Sequence, residues 1–209
     1  MINTLAQYYF SMLDRLQCFN GIPSLLIRLY LAPVMIQAGW NKYISFADTA
    51  AWFGNPDWGL GLPFPALMAS LAIAAELIGG ILLLLGLLTR LVTLPLMVTM
   101  LVAAFTVHWQ NGWPAIADTS SWLANGTLFM NESVMASADK LSAANSILQE
   151  HGNYEWLTAS GKFVVLNNGI EFAITYFVML LALLFIGGGR YLSLDFWIKR
   201  TLCNKLSSQ

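Results

Sequence analysis

Arg28, Lys42, Glu76, His108 and Glu171 lie within, or at the ends of, long apolar runs of this sequence. A histidine with carboxylates and an ammonium nearby can relay protons, bind a polar head group or hold a quinone carbonyl. Each residue also has an ordinary structural reading. Glu76 can be a buried, hydrogen-bonded packing residue. His108, followed by Trp109, can anchor a helix end at an interface, and Glu171, three residues after Asn168, fits a capping box. Arg28 and Lys42 can snorkel to opposite interfaces. No recognised catalytic spacing is present: there is no HExxH, paired histidine, phosphate loop or dinucleotide fingerprint. Met97 and Met100 sit on adjacent turns, but such a pair ordinarily packs rather than binding a soft ion, so no metal site is expected. The catalytic candidates are therefore Glu76, His108, Lys42 and Glu171; those for holding a cofactor, with quinone the chemistry in view, are Glu76, His108 and Arg28.

The elements that must position these groups are membrane helices. Of the 209 residues, 57% are hydrophobic and 10% charged, whereas a soluble domain usually carries about a quarter charged residues. Mean hydropathy is +0.63. The net charge of −1 gives no reason to expect a nucleic-acid partner. Cys18 and Cys203 are far apart and form no CxxC, which argues against a thiol relay. The first twenty residues lack a basic stretch followed by an apolar core, so no signal peptide is expected.

The central apolar run, from Phe64 to Leu88, is interrupted by Glu76 alone. As a helix it rises about 37 Å, enough to cross ~30 Å of hydrocarbon. A carboxylate near its middle is costly unless protonated, paired or hydrated. Ala72, Glu76, Gly79 and Gly80 form a small-residue stripe that lets a neighbouring helix approach. The patterning predicts four spans, over about 23–46, 64–88, 91–109 and 169–187. Arg28, Met35 and Lys42 recur every seven residues of the first span, so both cations share a face with Gly39. Residues 47–62 read as a loop, with Asn55-Pro56-Asp57 as its turn signal. Residues 110–168 form a long connection containing an amphipathic helix over 132–149 and a short extended arm over 162–166. Amphipathic segments over 4–20 and 193–206 read as interfacial helices at both ends, the second with a basic edge. The fold expected is thus all-α: a polytopic four-helix membrane bundle forming a single domain over 1–209, in contact with the lipid bilayer. Arg15, Arg28, Arg90, Arg190, Lys199, Arg200 and Lys205 fall on the side of both termini, which places the termini in the cytoplasm. Threaded up and down, the spans bring Lys42, His108 and Glu171 near the outer face, with Glu76 below them.

Several motifs along these spans resemble the DoxX family of small four-helix bacterial inner-membrane proteins. They are Arg28-Leu29-Tyr30 with Gly39-Trp40-Asn41-Lys42, then Glu76-Leu77-Ile78-Gly79-Gly80 with Gly86-Leu87-Leu88-Thr89-Arg90, then Ala103-Ala104 with His108. The last is Gly187-Gly188-Gly189-Arg190-Tyr191-Leu192-Ser193-Leu194-Asp195, similar to the family's closing GxGRxSxD stretch. The long outer loop departs from the family's shorter pattern and resembles the HvfX-like subgroup, which is linked to maturation of copper-binding peptides. The resemblance implies an inner-membrane accessory or partner subunit in metal-binding peptide maturation or export, or in a membrane redox system. The alternatives are a quinone-coupled oxidoreductase subunit with its own polar site and, third, a small-solute carrier. No catalytic residues carry over from the family.

Overall fold

The structure, a computed structural model, describes residues 7, 9–12, 19 and 21–206. The surface helix expected over 4–20 falls mostly outside the described residues, as do Arg15 and Cys18. The described chain is helical, with two isolated β-bridges, Ile116 to Leu166 and Asn125 to Met130. Three helices are long and apolar enough to cross a membrane: α1 (Gly21–Ile44), α3 (Pro65–Leu85) and α4 (Thr89–Asn111). Between α1 and α3 lies α2 (Phe46–Gly54). After α4 come α5 (Glu132–Met135), α6 (Ser137–His151), α7 (Tyr154–Thr158), α8 (Glu171–Ile186) and α9 (Leu194–Leu206). Helix α8 is mostly apolar after its first residue, Glu171, but has 16 residues, a rise of about 24 Å, which is short for ~30 Å of hydrocarbon.

The segment expected to be a loop over 47–62 is therefore helix in its first half, to Gly54, and loop after it. Its composition explains this: FADTAAWFG contains no breaker before its final glycine, and the turn signal acts only at Asn55. The expected helix over 132–149 divides at Ala136 into α5 and α6. The arm over 162–166 is extended but pairs only through the Ile116–Leu166 bridge. The turn between α3 and α4 falls at Gly86–Leu88, and Thr89 already begins α4.

The chain forms two compact units, Met1–Thr99 with Tyr176–Gln209, and Met100–Thr175. In the first unit, α1 packs along α3, and α2 covers the first turns of α3. The α1–α3 contact is close because glycines face backbone. A Cβ on Gly39 would lie 2.6 Å from the Leu77 nitrogen, and one on Gly80 would lie 3.0 Å from the Ile36 nitrogen. Gly79 faces elsewhere, toward Leu96 and Val92 of α4 at 3.3 Å. The small-residue stripe thus serves two neighbours rather than one. The core of this unit is built from Leu31, Met35, Leu83, Leu96, Leu180 and Leu183, each at most 1% exposed.

Two of the long helices widen into π-turns, at Ala74–Ile78 in α3 and Ala103–His108 in α4. Such a bulge adds a residue to one turn and rotates the rest of the helix about its axis, and it is often found at functional sites. The first holds Glu76 and the second ends at His108.

Candidate functional site

Glu76 and Lys42 meet. The Lys42 ammonium donates to Glu76 Oε2 at 2.6 Å, and this is a salt bridge between α1 and α3. The glycines set it up. Gly39 against Leu77 and Gly80 against Ile36 fix the antiparallel register of the two helices, and Lys42, one turn beyond Gly39, falls within a turn of Glu76, close enough for its long side chain to reach the carboxylate. The Glu76 side chain is 5% exposed and that of Lys42 is 29% exposed. The carboxylate is therefore enclosed, while the lysine side chain is partly exposed.

Lys42 reaches Glu76 from near the end of its own helix. It lies two residues before the end of α1, where Ser45 breaks the helix and its hydroxyl turns back to Asn41 O at 2.7 Å. Helix α2 then takes over the cover of α3. The joint between α1 and α2 therefore stands opposite the first half of α3.

Arg28 is not a partner of Glu76. Its side chain is completely buried, and its guanidinium donates to Leu192 O at 2.9 and 3.2 Å and to Tyr191 O at 3.2 Å. These carbonyls belong to the closing Gly187–Asp195 stretch, which folds around the α3–α4 turn. Asp195 accepts from Leu88 N–H at 2.7 Å and from Thr89 N–H at 2.9 Å, capping α4. Ser193 Oγ donates to Gly86 O at 3.1 Å, and Ser24 Oγ donates to Gly187 O at 2.6 Å. A Cβ on Gly86, whose φ is +63°, would fall on Arg28 Nη1. Leu88 (φ +51°) and Leu192 (φ +45°) hold left-handed conformations that a leucine rarely adopts. The hydrogen bonds of Asp195 and Arg28 to these same segments hold them there. A search confined to ionisable residues inside the spans misses this clasp. Its signal lies in the glycines and in the Ser193 and Asp195 of the closing motif.

His108 and Glu171 lie in the unit Met100–Thr175. His108 Nδ1 is 2.9 Å from Asn168 O; a carbonyl only accepts, so Nδ1 carries the proton. Glu171 does not close a capping box with Asn168, which has φ +59°. Its Oε2 instead accepts from Ala115 N–H at 2.9 Å, and its own N–H donates to Trp113 O at 3.1 Å. Asn167 donates to Asn111 O at 2.8 Å and Pro114 O at 2.6 Å. Residues 111–115 and 167–171 are thus laced together, with both candidate side chains in the lacing. Beside them Glu171, Trp113 and Phe172 line a cavity of about 520 Å³. Among the described residues no group of three or more His, Cys, Asp or Glu could hold a metal ion.

A comparison with protein families matches residues 24–109 to DoxX. The matched segment runs from near the start of α1 into the last turn of α4 and contains Arg28, Lys42, Glu76 and His108. The likeness to DoxX covers this segment, about two fifths of the chain, and the three helices long and apolar enough to cross a membrane lie almost wholly within it. No curated protein matches the chain, and no solved structure does.

Proposed function

We propose that this chain is a single-domain DoxX-family protein of the bacterial inner membrane with both termini cytoplasmic, acting as the membrane subunit of a redox system. Its working site in this reading is the Lys42–Glu76 pair. What supports it is that a salt bridge joins two apolar helices, with an enclosed acid and a partly exposed lysine. Charged groups in such helices mark ion, proton or substrate pathways by default.

The donor set suits a small carbonyl compound of the quinone class. Lys42 donates a hydrogen bond to a carbonyl oxygen and so orients it. Glu76, behind it, holds or passes a proton, and the apolar walls of α1 and α3 exclude bulk water. A quinone, when bound, supplies the two-electron redox chemistry that the side chains lack. The experiment is to extract the purified protein for co-bound quinone and to titrate it with a short-chain benzoquinone. Retention that is lost in Lys42→Met and Glu76→Gln supports the reading. Equal binding by both variants removes it.

A second reading is an accessory subunit for maturation or export of a metal-binding peptide, with the chain in the HvfX-like subgroup. The folded unit Met100–Thr175 favours it, because it offers a soluble partner more structure than a bare helix connection would. A stoichiometric soluble partner copurifying without quinone would select it.

A further inference from the structure

The sequence from Thr119 to Asn131 contains no charged residue. It folds as a closed tip. Ala124 at its base is fully buried. Asn125 and Met130 bridge antiparallel, and Gly126, at φ +90°, turns the chain between them. The tip satisfies much of its own backbone: Gly126 N–H donates to Phe129 O at 2.8 Å, Leu128 N–H to Trp122 O at 3.0 Å, and Asn131 N–H to Ala124 O at 2.9 Å. The Asn125 side chain accepts from Thr127 N–H at 3.0 Å. Outward from this frame point Trp122, Leu128, Phe129 and Met130, which are 69, 63, 67 and 62% exposed.

A tip that turns four large apolar side chains outward needs a covering surface. Two features select lipid over a protein partner. Protein interfaces ring their apolar centre with polar and charged groups, whereas the nearest charges along the chain, Asp118 and Glu132, stand outside the tip at its two ends. Hydrocarbon favours backbone groups paired within the segment, and the bonds above pair much of the tip's backbone. Tryptophan beside leucine and phenylalanine is also the usual composition of an interfacial anchor. The tip belongs to the same compact unit as the α4 residues Phe105 and Trp109, both exposed on an apolar helix of spanning length. The unit thus already has a lipid-facing surface.

We infer that the Trp122–Met130 tip is a membrane anchor: it dips into the head-group and upper acyl region of the bilayer and tethers the Met100–Thr175 unit to it. The test uses the whole protein in phosphatidylcholine vesicles, with Cys18 and Cys203 replaced by Ser. An environment-sensitive fluorophore is placed by Phe129→Cys, by Leu128→Cys as a second position, or by Glu150→Cys as the exposed control. The tip labels should emit to the blue of the control. Nitroxide-bearing lipids should quench them, and soluble iodide should quench them several-fold less than the control. Trp122→Ser combined with the Phe129→Cys label should shift that label back toward the control. Iodide access equal to the control, with no response to nitroxide lipid, overturns the inference. Protection from both quenchers also overturns it, since the tip would then be covered by another copy of the chain.

Discussion

Arg28 lies with its guanidinium against two backbone carbonyls, whereas Glu76 faces the ammonium of Lys42. Both are charged groups buried among apolar helices of one compact unit. In the clasp around Arg28 the hydrogen bonds of both charges go to main chain: arginine to the carbonyls of Tyr191 and Leu192, Asp195 to the N–H groups of Leu88 and Thr89. Main-chain partners cannot change protonation or leave, so the clasp fixes the joint between the α3–α4 turn and the closing motif. At Glu76 the partner is another side chain, 29% exposed and free to turn to a different acceptor. Equal burial therefore does not mean equal role. The identity and mobility of the partner separate a structural charge from a reactive one.

The sharpest way to break this comparison is to attack the clasp. Arg28→Met leaves the Tyr191 and Leu192 carbonyls without their donor, and each buried polar group so stranded costs about 1–3 kcal/mol. Gly86→Ala adds a Cβ where Arg28 Nη1 lies, at a φ of +63° that alanine disfavours. Both variants should lose most detergent-resistant folding, as read by thermal unfolding on a size-exclusion column. If either behaves like wild type, Arg28 is not the pin of the joint.

A smaller effect is expected in the α1–α3 contact. Gly80→Leu drives a side chain into Ile36 and the Ala32 carbonyl, which lie 2.8–3.1 Å from a Cβ there. Overpacking of this kind costs about 1–3 kcal/mol. Leu84→Ala, at a position 44% exposed, should cost far less. Equal losses in the same unfolding assay would mean that Gly80 does not set the register that brings Lys42 to Glu76.

The legibility of each feature in the sequence depends on which parts of the chain make it. Apolar runs depend only on composition, and α1, α3 and α4 fall within a few residues of the expected spans. The shared face of Arg28 and Lys42 foreshadows the Lys42–Glu76 meeting, but it does not choose between the two cations. That choice depends on helix register, which is set by backbone approach at Gly39 and Gly80 and by the π-turn at Ala74–Ile78. A π-turn leaves no periodic mark in five residues. Helix α2 reads as a loop because its flanks carry turn residues, although its interior carries none. For Arg28, spacing offers a shared face with Lys42 and snorkelling to an interface. Neither reveals its carbonyl partners, because residues 191–192 come from the far end of the chain. Glu171 reads as a cap, because spacing from Asn168 says nothing of the 111–115 segment that claims its carboxylate.

The finest test of the comparison is thermodynamic coupling at Glu76. Groups in direct contact show interaction energies of about 0.5–3 kcal/mol in double-mutant cycles, while separate sites add within about 0.5 kcal/mol. Glu76→Gln alone leaves an ammonium without its carboxylate, and Lys42→Met alone leaves an enclosed carboxylate without its cation. The second should be the worse for stability, because Glu76 is 5% exposed and Lys42 can turn its charge outward. The pair Lys42→Met with Glu76→Gln removes both charges, and replacing a buried pair as a whole is often nearly neutral. It should therefore cost less than the sum of its parts. Arg28→Met with Glu76→Gln should add, since the arginine answers to Tyr191 and Leu192 and not to Glu76. Because Arg28→Met alone is expected to unfold much of the protein, this cycle is best read with the milder Arg28→Lys. Additivity in both cycles would dissolve the ion pair as an energetic unit and take the proposed redox site with it. Coupling to Lys42 alone would leave one charge pair that can be emptied without unfolding the bundle, which is what a site for a small polar ligand requires.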